Sequence, residues 1–314
     1  MLNRRHIREK VLKGLYAFFQ SNSTDVIAGE KELFLSIDKV YELYLYYLNF
    51  AISLKDFVAE FIEERKQKHL PTEEDLNPKL NFINNRLIQA MEGSSELHDL
   101  FNRKKINWSG FDETMRKVYF SFRNDSIYRE YLHIAAPTLE DDKRILHYLF
   151  EEYIFKSEQI NQLFEERSIY WLDDIELMQA GVLKTIRSQK EDGDVRIQPL
   201  QKDSAADRQF ASELFRKTIL HSQAYEVEIS RKAQNWESER VAKMDMILMK
   251  MAICELVEFT QIPVKVTLDE YIELSKAYSS PQSKTFINGI LDKIVIEYKR
   301  ENKIKKTGRG LLEA

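Results

Sequence analysis

The sequence has few of the residues that interrupt helices. Among its 314 residues there are 9 glycines and 6 prolines. A β-sandwich or β-barrel of this length needs many more turn-forming residues, so the scarcity argues against both and favours long helices. Apolar residues make up 43% of the chain and charged residues 31%, a balance typical of a packed globular protein. We therefore predict an all-α fold.

Cysteine is nearly absent as well. The single cysteine, Cys254, excludes an internal disulfide bond and a metal site built from several cysteines. It fits the reducing environment of the cytoplasm. The first residues lack the uninterrupted apolar run of a signal peptide, and no window of about 18 uncharged apolar residues occurs. These absences predict a cytoplasmic protein with no membrane-spanning segment.

Motifs of the common catalytic and cofactor sites are also missing. The sequence contains no G-x-G-x-x-G run, no phosphate-binding loop and no H-E-x-x-H pair. A diiron helical bundle needs two Glu-x-x-His motifs, and only Glu130 to His133 fits that pattern. We therefore predict that the protein is not an enzyme and holds no cofactor or metal.

The charge is nearly balanced, at a formal net value of −4. Any nucleic-acid site must therefore be a local basic patch. One such patch lies on the polar face of the first predicted helix and consists of Arg4, Arg5, His6, Arg8 and Lys10. Arginine binds phosphates through planar, paired contacts, but most charged runs are solvated faces. The residues alone leave both interpretations open.

Apolar spacing predicts helices along most of the chain. The first should run roughly over Arg4–Gln20 and the second over about 30–70. After Pro137, Thr138 and Asp141 indicate a capped start for a helix of about 25 residues. Thr267 and Glu270 predict the same kind of cap for a helix near the C-terminus. The three tryptophans are predicted to anchor the core.

One pattern recurs at a constant offset. Leu149-Phe150, Ile154, Ser157 and Trp171 return as Leu214-Phe215, Ile219, Ser222 and Trp236. Apolar identities at helical positions arise easily by chance, so duplication and coincidence both remain open.

Two blocks of the sequence resemble the NusB family. The first is Asn3-Arg4-Arg5-His6-Ile7-Arg8-Glu9-Lys10-Val11-Leu12, followed by Leu15-Tyr16. The second is Pro263-Val264-Lys265-Val266, then Asp269-Glu270-Tyr271-Ile272-Glu273-Leu274-Ser275-Lys276, then Phe286-Ile287-Asn288-Gly289-Ile290-Leu291-Asp292. Residues 22–206 show no match. Since typical members are less than half this length, the chain looks like a long variant of the family.

The resemblance implies an all-helical fold of two small bundles and a role in transcription antitermination. Family members bind the boxA sequence of nascent RNA together with the ribosomal protein NusE. With other Nus factors they act on RNA polymerase in ribosomal RNA operons. Some form homodimers, which the resemblance leaves open here. The alternative is a non-catalytic helical interaction scaffold, which would not bind RNA.

The resemblance also assigns residues to these roles. The RNA-binding residues it implies are Arg4, Arg5, His6, Arg8, Lys10, Tyr16, Gln282, Lys284, Phe286 and Asn288. The partner-binding residues it implies are Glu239, Arg240 and Glu255. Packing explains Asn288 equally well, and the helical spacing of Phe286, Ile290 and Ile294 favours a core position for Phe286. Surface ion pairs explain the three partner residues nearly as well.

The predicted organisation has four segments. Residues 1–135 form an N-terminal helical region that includes the basic helix, and 136–206 form an inserted or duplicated helix pair with a linker. Residues 207–301 form the C-terminal NusB-like bundle. Residues 302–314 are predicted to be a basic, flexible tail, either an RNA-affinity element or a solubilising extension.

Overall fold

Asn3 starts the first helix of the protein. In the computed structural model its side-chain oxygen accepts the backbone N–H groups of Arg5 and His6, at 2.9 and 3.1 Å. The Nδ1 atom of His6 accepts the Asn3 N–H in return, at 3.2 Å. This capping box satisfies donors that the start of a helix leaves without partners. Helix α1 (Arg4–Gln20) has the predicted bounds.

The structure describes residues 1–191, 193–201, 203–233 and 241–312. Within these ranges there are fifteen α-helices and no β-strand, so the predicted all-α fold is confirmed. After α1 they are α2 (Val26–Lys66), α3 (Glu73–Leu76), α4 (Arg86–Glu92), α5 (Ser95–Lys104), α6 (Asp112–Phe122), α7 (Ser126–His133), α8 (Leu139–Tyr148), α9 (Glu158–Arg167), α10 (Ile175–Ser188), α11 (Ser204–Leu220), α12 (Ser222–Ala233), α13 (Lys243–Glu258), α14 (Val264–Tyr278) and α15 (Ser283–Arg300). No helix in the described ranges combines the length and apolarity needed to cross a bilayer.

The chain divides into two compact units. The central unit consists of Met1 and Asp38–Leu200, and the terminal unit of Leu2–Ile37 and Gln201–Ala314. Both ends of the sequence therefore contribute to the terminal unit. The sequence predicted four segments, divided near residues 135, 206 and 301, with an inserted or duplicated helix pair. That organisation stays a prediction.

Large aromatic side chains fill the core of the central unit. The indole N–H of Trp108 donates to the backbone oxygen of Tyr46 at 3.0 Å, and that of Trp171 to the backbone oxygen of Lys39 at 2.7 Å. The rings of Tyr46 and Phe164 pack against both tryptophans. The predicted core positions of Trp108 and Trp171 are confirmed.

Helix α13 forms the centre of the terminal unit. It contacts α1, α11, α12, α14 and α15, and eleven of its residues are buried. A helix that is apolar on nearly all sides needs such an enclosure, because no face of it suits water. This arrangement surrounds α13 with the two blocks that resembled the NusB family.

The chain after Pro137 differs from the prediction of one long helix. The predicted capping box at the start of α8 is present. However, a π-helical segment (Leu149–Ile154) follows α8, and Ser157 begins α9 by accepting the Ile160 N–H at 3.4 Å. Serine competes with helical hydrogen bonding in this way, which the apolar spacing alone does not reveal.

The predicted cap of Thr267 and Glu270 is wrong. Helix α14 begins directly after Pro263, and Thr267 already lies inside it. Its hydroxyl donates to the Glu255 carboxylate at 2.9 Å instead of capping the helix. The capping pattern was present in the sequence, but the proline set the helix start first.

Residues 302–314 were predicted to be a flexible tail, but Lys306 and Thr307 fold back onto the end of α13. The Thr307 N–H donates to the backbone oxygen of Thr260 at 3.0 Å. The Lys306 amine donates to the backbone oxygen of Phe259 at 3.0 Å. The end of α13 leaves carbonyl groups without helical partners, and the tail supplies donors for them.

Candidate nucleic-acid interface

The α1 arginines differ most in their burial. The side chain of Arg8 is 3% exposed and bonds to Glu255 through two hydrogen bonds, of 2.7 and 2.8 Å. Thr267 and Tyr271 donate to the same carboxylate at 2.9 and 3.3 Å. The pair is thus satisfied inside the protein and closed to a ligand. We reassign Arg8 and Glu255 from ligand contact to the core, because a buried charge needs its partner.

Arg5 lies at the surface, one turn before Arg8. Its side chain is 46% exposed and makes two hydrogen bonds of 2.9 Å with Glu270 on α14. The bond from Arg5 first, and then the charges of Arg8 and Arg5, hold the pKa of Glu270 below its ordinary value. Arg5 therefore presents a fixed, planar cation at the edge of the terminal unit.

Arg4 is also at the surface, with 43% of its side chain exposed. It pairs loosely with Asp207 at 3.4 Å, and its guanidinium lies 4.5 Å from the centre of the Phe210 ring. Stacking on the ring fixes the plane of the guanidinium and leaves edge N–H groups for another acceptor.

The other predicted residues of α1 also differ in burial. Lys10 is buried, at 5% exposure, and His6 is half-buried and belongs to the α1 cap. Tyr16 is 39% exposed. The Lys13 amine lies 5.2 Å from the Tyr278 ring centre on α14. The outer side of α1 therefore offers an aromatic ring and cations, whereas Lys10 belongs to the packed side.

The second predicted block lies at the start of α15. Gln282 and Lys284 are exposed, whereas Phe286 is buried in the core. Asn288 is half-buried and donates to Asp292 at 3.0 Å. The interior position of Phe286 removes it from the set available to RNA, because a ligand would have to open the core to reach it.

Asp245 on α13 holds the loop before α15. Its carboxylate accepts the hydroxyl of Ser283 at 2.7 Å and that of Ser279. Ser280 and Ser283 bond to each other at 2.8 Å. These bonds fix the loop that presents Gln282 and Lys284.

Glu273 on α14 connects the two predicted blocks. Its bond with Lys276 first, and then the charges of Arg5 and Lys284, lower its pKa. Arg5 and Lys284 are far apart in sequence but act on the same carboxylate. We call Arg4, Arg5, Tyr16 and Lys284 the exposed cationic surface; it belongs entirely to the terminal unit.

Beside Arg4 and Arg5 there is an open cleft of about 560 Å³. Its lining includes Pro263, Val266 and Arg309. Arg309 was predicted to lie in a flexible tail, so its place in the wall of this cleft was not predicted. No local signal indicated it, because the fold-back depends on carbonyl groups at the end of α13.

Lys306 was missed for the same reason. Burial lowers the pKa of its amine to about 8. The nearby charge of Glu255 opposes that change, but burial is the larger effect. Lys306 therefore supports the packing around the buried pair rather than adding to a basic tail.

Glu239, Arg240 and Trp236 lie outside the described residues. The partner contacts of Glu239 and Arg240, and the anchor role of Trp236, therefore stay predictions.

Known proteins similar to this chain belong to the NusB family. A family model described as the NusB family matches residues 172–295. The transcription antitermination protein NusB of Salinibacter ruber is 40% identical over 140 residues, which are 42% of this chain and 86% of that protein. That of Chloroherpeton thalassium is 36% identical over 117 residues, covering 36% of this chain and 56% of that protein. No solved structure matches significantly.

The family match begins earlier than the sequence analysis expected. It includes α10, within the segment 22–206 that showed no resemblance. The family model does not extend to α1, so the interpretation of α1 depends on its own sequence and contacts.

Proposed function

The chain belongs to the NusB family of transcription antitermination proteins, and on this premise we propose that it binds boxA-type RNA together with the ribosomal protein NusE. In this role it joins other Nus factors at RNA polymerase and supports transcription of ribosomal RNA operons in the cytoplasm. The role is non-catalytic and requires no cofactor.

The exposure of Arg4 and Arg5 is the observation that supports the proposal most. Glu270 holds Arg5, and the Phe210 ring with the loosely paired Asp207 holds Arg4, but each guanidinium remains nearly half exposed. Exposed ion pairs of this kind are worth about 0–1 kcal/mol, so a phosphate can replace the carboxylate at little cost. Phosphate presents the same paired oxygens to arginine as a carboxylate does.

Tyr16 and Lys284 extend the same surface. Single-stranded RNA is usually bound by cations that follow the backbone and by aromatic rings on which bases stack. Tyr16 provides an exposed ring on α1, and Lys284 provides a cation at the start of α15. Gln282 and Asn288 lie near the start of the same helix, and we assign them polar contacts with RNA.

The ribosomal partner is assigned by family resemblance. We propose Glu239 and Arg240 as its contacts, on the segment before α13. Glu255 is not among the proposed contacts, because it is buried and bonds to Arg8 and Thr267. A homodimer that covers the exposed cationic surface is the competing state, and RNA should dissociate it.

A titration with fluorescent RNA tests the proposal. The purified protein is titrated with a boxA RNA and with a scrambled RNA of equal length, alone and with the ribosomal partner. We expect preferential binding to boxA that strengthens with the partner. Light scattering on the same samples reports whether a homodimer is present and whether RNA dissociates it.

Equal and weak binding to both RNAs, with and without the partner, would contradict the proposal. The chain would then be a helical interaction scaffold that has kept the family fold.

A further inference from the structure

The central unit contains a second, unassigned cleft. It has a volume of about 470 Å³ and lies among α2, the loop before α4, α6 and α7. Arg65, Lys79, Arg123 and Arg129 line it, together with the rings of Phe61 and Tyr119. We call this set the arginine–aromatic cleft. Its volume falls within the usual range of sites for small ligands, about 300–1,000 Å³.

Its charge is positive. Its lining has three arginines and one lysine against two carboxylates, Glu74 and Asp75. Asp75 is already engaged, because Arg65 bonds to it and the amine of Lys68 lies at 3.5 Å. The bond from Arg65, with the Thr72 N–H after it, holds the pKa of Asp75 well below its usual range. Arg65 and Asp75 therefore form a structural pair at the cleft wall.

The remaining cations are not neutralised in this way. Among the described residues, no carboxylate forms an ion pair with Lys79, Arg123 or Arg129. Arg129 and Lys79 are exposed, and Arg123 is half-buried. Their N–H donors face solvent or the cleft, so an incoming anion has partners there without displacing a carboxylate.

Arg123 is oriented by aromatic rings instead. Its guanidinium lies 5.3 Å from the centre of the Phe61 ring, 5.8 Å from that of Tyr119 and 5.5 Å from that of Phe120. Contact with rings fixes the guanidinium plane while the charge remains. A planar guanidinium of this kind is a surface on which a nucleobase can stack.

We propose that the arginine–aromatic cleft binds nucleotides of single-stranded RNA. Phosphates are held by Lys79, Arg123 and Arg129, and a base stacks on the guanidinium and ring system around Arg123. This site is in the central unit and needs no boxA sequence, so it does not rest on the proposed function of the terminal unit.

The pairing of cations with aromatic rings favours RNA over an acidic protein segment. Carboxylates need only the cations, whereas a nucleotide uses both the cations and a stacking surface. Recognition by stacking is tolerant of sequence, because every base has a flat face. The expected ligand is therefore single-stranded RNA without a required sequence.

The test uses full-length protein carrying Arg4→Gln and Arg5→Gln, in which the exposed cationic surface has lost its two arginines. The probe is an oligouridylate of about 12 nucleotides with photoreactive 4-thiouridine, a length suited to one single-strand site. Crosslinked peptides are mapped by mass spectrometry. We expect them within residues 61–79 and 119–133.

Affinity is then measured for Lys79→Ala/Arg123→Ala/Arg129→Ala in the same background. Three lost phosphate contacts should lower affinity by about tenfold or more and reduce the salt-dependence slope by about 2. The matched control is Arg103→Ala/Lys117→Ala/Arg187→Ala, which removes three other cations of the central unit. It should bind within about twofold of its parent.

Three results would overturn the inference: crosslinks that map elsewhere, equal affinity of the two triple variants, or competition by polyglutamate as strong as that by unlabelled RNA. Crosslink mapping needs no cleft variant, so a folding defect in the triple variant cannot obscure the answer. Loss of boxA preference in the wild-type protein would contradict the proposed function alone and leave this result standing.

Discussion

Arg8 in the terminal unit and Arg123 in the central unit are oriented in two different ways. In the terminal unit, Arg5 and Arg8 bond to the carboxylates of Glu270 and Glu255. In the central unit, Arg123 lies over aromatic rings and has no ion pair among the described residues. A carboxylate fixes an arginine and cancels its charge, whereas a ring fixes it and leaves the charge in place. Buried Arg8 is therefore structural, Arg123 remains available to an anion, and the exposed Arg5 lies between these two cases.

Burial makes the same distinction within α1. Arg8 is closed to solvent, but Arg5, three residues earlier, is nearly half exposed. Separation of buried charges costs several kcal/mol, about 3–5, whereas an exposed pair contributes about 0–1 kcal/mol. Only the exposed pair can exchange its carboxylate for a phosphate at low cost.

The largest predicted effect is on stability. Arg8→Ala should lower the free energy of unfolding by about 3–5 kcal/mol, because it leaves the Glu255 charge buried without its main partner. Arg123→Ala should cost less, about 1–2 kcal/mol, because it removes ring contacts of a half-buried cation and leaves no charge buried without a partner. Urea denaturation of both variants measures the two losses in free energy of unfolding.

The control for Arg8→Ala is the double variant Arg8→Met/Glu255→Leu. Replacement of both charges by apolar groups should recover most of the lost stability. Equal costs for Arg8→Ala and Arg123→Ala would show that the two arginines are not held differently.

A smaller effect is expected on RNA affinity. Glu270→Gln removes the carboxylate that competes for Arg5, so affinity for boxA RNA should rise by about threefold, or about 0.6 kcal/mol. The measurement is the fluorescence titration at low salt. The matched control is Glu297→Gln, which removes a carboxylate bound to Arg231 and Lys232 in the same unit. A fall in affinity for Glu270→Gln would mean that Arg5 needs Glu270 to hold its position.

The stability difference between the wild-type protein and Glu270→Gln should depend on pH. Because the pKa of Glu270 is lowered in the fold, its carboxylate contributes stability above its ordinary pKa of 4.5. That contribution is lost as pH falls through the lower pKa of the folded state. The wild-type protein should therefore exceed the variant in stability at pH 7 and lose this advantage in acid.

The smallest effect concerns Lys306. Burial lowers the pKa of its amine from 10.5 to about 8, so the unfolded chain binds this proton more tightly than the folded one. Stability should then rise with pH between these two values. Thermal melts should show this rise in the wild-type protein and a flatter profile in Lys306→Met. Identical pH profiles would show that Lys306 does not titrate in the folded protein.

Much of the fold could be predicted from the sequence. Helix α1 was predicted correctly because the spacing of its apolar residues is a local signal. The break at Ser157 was missed, because the apolar spacing continues across it while the serine hydroxyl caps α9. Local patterns report which residues favour a helix and not which competing hydrogen bond forms.

The candidate site could be predicted only in part. Arg8 was placed on the polar face, yet Leu12 and Leu15 stand four and seven residues later on the buried side. That spacing was a usable sign that Arg8 points inward. Its partner Glu255 lies in another helix far along the chain, and no local pattern identifies such a pair. The arginine–aromatic cleft was unpredictable for the same reason, since its cations come from separate segments.

The most direct test of the central claim is the affinity of boxA RNA for Arg4→Gln/Arg5→Gln. The matched control is Arg216→Gln/Arg231→Gln, which removes two other carboxylate-paired arginines of the terminal unit. If Arg4 and Arg5 bind phosphates, the first variant should lose about tenfold or more in affinity and about 1.4 in salt-dependence slope, while the control stays near wild type. Equal affinity of the two variants would contradict the assignment of RNA binding to the exposed cationic surface.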